Sequence, residues 1–191
     1  FELGIMVDDK LERLNFLMVD DNRHMRALVT SILHALGAKN CLDASDGADA
    51  FKELRHFPAD IIICDWNMDP LDGLDFTRLV RTGNDSPNPF VPIIMLTGHT
   101  EMNRVVEARD AGVHEFLAKP ISAKGLYSRI RSIIERPRPF VRAGMYFGPD
   151  RRRRDNPAYM GGERRKVNQE AQQGAGNGEL SQDEVEALLN G

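Results

Sequence analysis

The sequence predicts an α/β protein, a doubly wound parallel sheet with helices on both faces, followed by a largely disordered C-terminal extension. Two observations carry the sheet. Short apolar runs of strand length recur through the first 120 residues, and most end abruptly in a polar or charged residue. Between them lie amphipathic stretches of helix length, so strand and helix alternate five times. Right-handed crossovers turn such a chain into a parallel sheet covered on both sides. Ile61-Ile62-Ile63-Cys64-Asp65 is the clearest run. It is continuous rather than alternating, as in strands buried on both faces, and too short for a helix. Ligands of open α/β sheets bind beyond the carboxyl ends of the strands, so Asp65 is placed at the mouth of a site.

The elements follow in order. Residues 1–13 show no period and are read as a leader without assigned function. Asn15 to Val19 reads as a strand ending in Asp20-Asp21. Met25, Leu28, Val29, Ile32, Leu33 and Leu36 then fall at helical spacing, stopped by Gly37. A short strand around Cys41–Ala44 precedes a helix over about Gly47–His56. The Ile61 strand leads through a Pro/Gly loop to Gly73 and a third helix, Leu74 to about Arg81. Thr82 to Phe90 is a Gly/Asn/Pro loop before the strand Pro92–Leu96, which ends at Thr97-Gly98. A fourth helix covers about Met102–Ala111, and the strand Glu115–Leu117 runs into Lys119-Pro120. The last helix, Ala123–Ile134, carries Leu126, Ile130, Ile133 and Ile134 on one face. Pro137 and Pro139 close the domain, set at residues 14–136. Beyond them the hydrophobic period is lost, and a mobile arm (137–168) and a flexible tail (169–191) are expected.

The charge is partitioned along the chain. Residues 1–135 carry fifteen Lys and Arg against twenty-one Asp and Glu, 136–166 ten against three, and 167–191 none against five. An acidic domain, a basic arm and an acidic tail result. No apolar run approaches the ~20 residues of a membrane span, and no signal-peptide pattern is present. Cys41 and Cys64 both fall in strands and read as small buried hydrophobes in a reducing compartment rather than a disulfide, which places the protein in the cytoplasm.

Four strand ends supply Asp20 and Asp21, Asp65, Thr97 and Lys119. Carboxylates held together repel and call for a cation, and hard oxygen ligands with few protein donors suit Mg²⁺. A lone Asp at a strand end is more often a helix cap. This set, on four strand ends in this order, is far more specific.

The constellation closely resembles the receiver domain of two-component response regulators over residues 15–135, and Asp65-Trp66-Asn67-Met68 resembles the chemotaxis CheY subgroup. The resemblance implies a flavodoxin-like sheet of order 2-1-3-4-5. It implies that Asp65 accepts a phosphoryl group from the phosphohistidine of a histidine kinase. Asp20, Asp21, Asp65 and the Asn67 carbonyl would hold Mg²⁺. Lys119, followed by a cis proline, would pair with phosphoryl oxygens. Thr97 would bond the phosphate and Phe116 would turn inward behind it. The protein would be a phosphoacceptor that assists its own phosphoryl transfer and dephosphorylation, not a separate enzyme. Pro70 stands one position later than the family usually has it, and the Thr82–Phe90 loop is longer than common. His99 and Asn67 flank the site and would tune the lifetime of the phosphate.

The basic arm admits three readings: a solubilising linker, nonspecific nucleic-acid or membrane contact, and a nucleotide site. Arginines Arg151, Arg152, Arg153 and Arg154 favour the last, because guanidinium groups read guanine edges and neutralise phosphate. The stretch Tyr146–Arg152 recurs as Tyr159–Arg165. Tyr146 and Tyr159 would stack, Arg164 and Arg165 repeat the basic pair, and Asp155 would accept from guanine. A ligand with two guanines and two phosphates, cyclic di-GMP, fits, and an arginine-rich extension after a CheY-like receiver is similar to cyclic-di-GMP-responsive proteins acting on flagellar motors. Residues 180–191 carry a capping-box signature, Ser181 and Glu184, with Leu180, Val185, Leu188 and Leu189 as an apolar stripe. They resemble the receiver-binding peptide of the flagellar motor switch protein, and would dock on the chain's own or a sister receiver. The expected function is control of the flagellar motor or attachment. The alternatives are a phosphate sink or relay with an inert tail, and a nucleic-acid-associated regulator.

Overall fold

The computed structural model describes residues 10–98 and 102–150. The receiver part runs β1 (Asn15–Val19), α1 (Arg23–Ala35), β2 (Asn40–Ala44), α2 (Gly47–Glu53), β3 (Ile61–Asp65), α3 (Gly73–Thr82), β4 (Ile93–Thr97), α4 (Met102–Ala111), β5 (Glu115–Ala118) and α5 (Ala123–Glu135). The five strands form one parallel sheet in the order β2-β1-β3-β4-β5, the order expected.

Side chains alternate across the central strands and so build two cores. Leu17, Val19, Ile62 and Cys64 face Phe51, Phe76 and Val80 of α2 and α3. Phe16, Met18, Ile61 and Ile63 face Val29, Leu33, Leu126 and Ile130 of α1 and α5. Both faces being covered explains why these strands read as unbroken apolar runs, each such side chain contributing ~1.5–3 kcal/mol when buried. Under α4 a third cluster gathers Trp66, Leu74, Met95, Val105, Ala108 and Phe116. The apolar stripe of α1 is wider than its contact arc, for Leu28 stays 46% exposed. Leu11, inside the stretch read as a leader, is fully buried in the second core.

After α5 the chain does not leave the domain at once. Residues 140–149, placed by composition in a mobile arm, form an antiparallel hairpin of β6 (Phe140–Ala143) and β7 (Tyr146–Pro149). Gly144 opens its two-residue turn at φ +59°, as hairpin turns favour. Phe140 and Phe147 pack edge-on against Phe90 at 5.1 and 5.2 Å, and His114 lies 5.2 Å from Phe140. A Cβ on Gly148 would meet Gly112 Cα at 2.9 Å, so β7 lies against the chain just after α4 only because both residues lack one. Beneath the hairpin Arg81 is buried. Its guanidinium donates to the carbonyls of Gly112, Pro89 and Val91 at 3.1, 2.9 and 2.8 Å, and stacks over Phe140 at 5.2 Å. Burial pulls its pKa down to about 9, which leaves it charged at neutral pH. Hydrophobic periodicity missed this element because four-residue strands carry too little pattern, although Gly144 between two aromatic-rich tetrads was a legible turn signal.

Both cysteines are free. Cys64 is buried as expected, and burial pushes its thiol well up; Cys41 on the edge strand is only partly covered.

Candidate functional site

The parallel register builds the site. Val19 pairs with Cys64 across β1 and β3, so Asp20 and Asp65 leave adjacent strands side by side, at the point where the order of the sheet reverses. On the other side Asp65 pairs with Leu96, and Thr97 with Ala118, which brings the Thr97 and Lys119 strand ends to the same mouth. The Lys119 amide donates to the Thr97 carbonyl at 2.9 Å.

Asp20 and Asp21 are free to act because α1 is capped by another residue. Asn22 accepts from the amides of His24 and Met25 at its start. Asp20 is fully buried, and its Oδ1 accepts from the Asn22 amide at 2.8 Å. Its Oδ2 is buried without a hydrogen-bond partner, the Lys119 ammonium standing 3.7 Å away. Burial raises the Asp20 pKa, helped by the nearby Asp65 and Asp21 carboxylates and opposed by the Asn22 amide and Lys119. Asp65 is held more firmly. Its Oδ1 accepts from the Trp66 amide at 2.8 Å and meets Lys119 Nζ at 3.0 Å.

Asp20, Asp21 and Asp65 each offer an oxygen within 4.8 Å of the others. Three hard donors with one orphaned and buried oxygen fit a divalent cation of the Mg²⁺ type, which takes few protein carboxylates and keeps waters. Asp21 and Asn67 are exposed at the mouth. Thr97 is buried at its strand end, and Phe116 is fully buried, its ring 6.5 Å from that of Trp66. The Asp69-Pro70 and Lys119-Pro120 peptide bonds are both cis. His99 lies outside the described residues.

Three positions escaped sequence reasoning. Gly73 starts α3 directly against the Asp65 backbone, where a Cβ would come within 2.1 Å of the Asp65 carbonyl oxygen. A glycine opening a helix was its only signal. Arg26 donates to the Asp20 carbonyl at 2.8 Å while paired with Asp43 at 2.7 Å, fixing the end of β1. Arg104 on α4 lies over the Trp66 ring at 5.8 Å, tying α4 to the residue after Asp65. Spacing within one helix reveals neither arginine, since each acts across elements.

Of the residues named for the arm's nucleotide site, only Tyr146 is described, and its hydroxyl donates to the Pro149 carbonyl at 2.7 Å within the hairpin. Arg151, Arg152, Arg153, Arg154, Asp155, Tyr159, Arg164 and Arg165 lie outside the described residues, as do Leu180, Val185, Leu188 and Leu189.

Comparison with known proteins assigns this sheet and its acidic pocket to one family. The chain belongs to the response regulator receiver domain family, whose model matches residues 16–131. It is 34% identical over 123 residues to the chemotaxis protein CheY of Pseudomonas aeruginosa, covering 64% of this chain and 98% of that one. To CheY-3 of Vibrio cholerae it is 32% identical over 125 residues, covering 65% and 95%. Among solved structures CheY4 of Vibrio cholerae is similar at a TM-score of 0.58 and 30% identity, over 63% of this chain and 98% of that one. Residues beyond 131, among them the β6–β7 hairpin, extend past the family match.

Proposed function

We propose that this chain is a response regulator of the CheY type, phosphorylated on Asp65 by a histidine kinase. The observation that carries this is Asp65 held by Lys119 and the Trp66 amide beside two further carboxylates. A carboxylate oxygen of Asp65 attacks the phosphorus of a phosphohistidine in line. The nitrogen–phosphorus bond breaks, and its electron pair leaves with the imidazole. Lys119 is placed to neutralise charge on the transferred group, and Asp65 is oriented before the donor arrives, so the chain supplies positioning and electrostatics rather than covalent chemistry. Asp20, Asp21, Asp65 and the Asn67 carbonyl would hold Mg²⁺, which when bound neutralises phosphoryl oxygens. Thr97, at the end of β4, would then bond the phosphoryl group, and Phe116, fully buried, would be the ring that moves inward behind it. No described helix is long and apolar enough to cross a membrane, and the reading places the protein in the cytoplasm, at the flagellar motor when active.

The output reading rests on sequence. The arginine run Arg151–Arg154, with Asp155, Tyr159 and the Arg164-Arg165 pair, binds cyclic di-GMP, and the protein acts on the motor switch in chemotaxis, motility or attachment. The chain's relatives bear the name of chemotaxis proteins, and the tail stripe Leu180, Val185, Leu188 and Leu189 supplies a helix-in-groove ligand for a receiver.

The decisive experiment for the site uses Trp66, the one tryptophan of the chain. Acetyl phosphate or beryllofluoride with Mg²⁺ should change its fluorescence, and the Asp65→Asn variant should be silent. No change in the folded wild type would overturn the phosphoacceptor reading. For the arm, calorimetric titration of cyclic di-GMP should give saturable binding that is lost when Arg151, Arg152, Arg153 and Arg154 are all replaced by Ala. Absence of binding to the intact chain would reduce the arm to a linker.

A further inference from the structure

Among the described residues the exposed large hydrophobic side chains are Leu28, Phe90 and Met145, and the last is 99% exposed at the hairpin turn. Phe90 and Met145 border one groove, of about 840 Å³, between the end of α3, the loop that follows it and the hairpin. Arg81, Arg142 and Phe147 also line it, and among the described residues no acidic one does. Arg142 is exposed and lies over the Phe147 ring at 4.9 Å. Arg81 donates to carbonyls and pairs with no carboxylate among the described residues, so its charge adds to that of Arg142. The groove is apolar and basic together. Across Met145 a second groove runs toward α4, and there Glu107 and Asp110 intrude while Arg78 is paired with Asp75 and Glu107. An acidic occupant is therefore directed to the first.

This chain contains such an occupant. From Glu179 onward it carries Glu179, Asp183, Glu184 and Glu186 with no Lys or Arg, around Leu180, Val185, Leu188 and Leu189. Leu180 and Val185 flank the Ser181–Glu184 capping box at the spacing of a hydrophobic staple, so the stretch is suited to fold on contact. The chain leaves from the open end of the same hairpin, where the Asp150 amide donates to the Pro139 carbonyl at 2.7 Å beside β6. Twenty-nine residues, 151–179, separate that exit from the stretch, and a coil of that length would span about 30 Å, by ~5–6 Å × √n. That is the scale of the domain, and such a tether gives an effective concentration of about 1 mM, enough for a weak helix to dock. None of these exposed large hydrophobics lies on β5 or α5.

We propose that residues 180–189 fold back onto the groove between α3 and the β6–β7 hairpin, their acids toward Arg142 and their leucines over Phe90 and Met145. The inference rests on the sequence reading of this tail as an amphipathic helix, and not on phosphorylation or nucleotide binding. Its test is amide hydrogen exchange on the full-length chain, without Mg²⁺, phosphodonor or nucleotide. Wild type is compared with a full-length Leu188→Asp, Leu189→Asp variant. The expected result is severalfold faster exchange in residues 83–90 and 140–149 of the variant, with the five-stranded sheet unchanged. Arg142→Glu should loosen the same segments, and Glu184→Arg with Glu186→Arg in that background should restore them. Unchanged exchange at the hairpin overturns the proposal. So does a change confined to β5 and α5, which would seat the tail on the other face. Protection that falls on dilution would assign the groove to a second copy's tail and likewise overturns it.

Discussion

The two ends of the sheet each bury a charge, and they treat it in opposite ways. At the carboxyl end Asp20 is buried with one oxygen unpartnered, next to two more carboxylates and a single lysine. At the amino end Arg81 is equally buried, yet its donors reach three backbone carbonyls and its face rests on Phe140. An incompletely satisfied buried charge is destabilising and persists where a ligand completes it. A satisfied one fixes architecture, here joining α3, the loop before β4, the chain after α4 and the hairpin. Between these two positions, what the buried group still lacks separates the candidate site from the scaffold. One element touches both ends. Arg104 in α4 lies over Trp66 beside Asp65, and the chain just after α4 carries Gly112 against β7.

The contrast breaks most sharply at Asp65. Asp65→Asn should abolish phosphoryl acceptance while leaving the fold intact, as read by acetyl phosphate labelling and by circular dichroism. Next in size is Arg81→Leu. Three carbonyls lose their donor, and unfolding in urea should show a loss of about 3 kcal/mol, with labelling of the folded fraction unchanged. Phe140→Ala removes the ring at the centre of the hairpin contact. Its expected loss is ~2 kcal/mol, with exchange at 140–149 accelerated before that of the main sheet.

Asp20→Asn should act in the opposite direction, raising stability in Mg²⁺-free buffer by on the order of 1 kcal/mol, because a buried and repelled carboxylate is neutralised. The sign has a pH signature. Burial raises the Asp20 pKa, so between the ordinary carboxylate value and the raised one the folded state holds more proton than the unfolded chain. Its contribution is most favourable at low pH and falls as pH rises through that window, a slope the variant should lack. Mg²⁺ should stabilise the wild type, by ~1.4 kcal/mol at ten times its Kd, and should do much less for Asp20→Asn. Thermal melts with and without Mg²⁺ check both.

Much of this was legible in the chain itself. Continuous apolar runs ending in Asp65, Thr97 and Lys119 declared a parallel sheet with a site at its carboxyl edge, since strands buried on both faces have no polar positions to spare. The resemblance of those strand ends to a receiver then supplied the sheet order. The sequence alone determined the five strands of the parallel sheet, the helices between them and which carboxylates stand at strand ends. Tertiary structure decided the rest. Which of Asp20, Asp21 and Asn22 caps α1, that Gly73 must touch the Asp65 carbonyl, and that Phe140 and Phe147 close over Arg81 and Phe90 all depend on contacts between elements far apart in the chain. Local periodicity reports which face of an element is apolar, but only packing determines which partner that face meets.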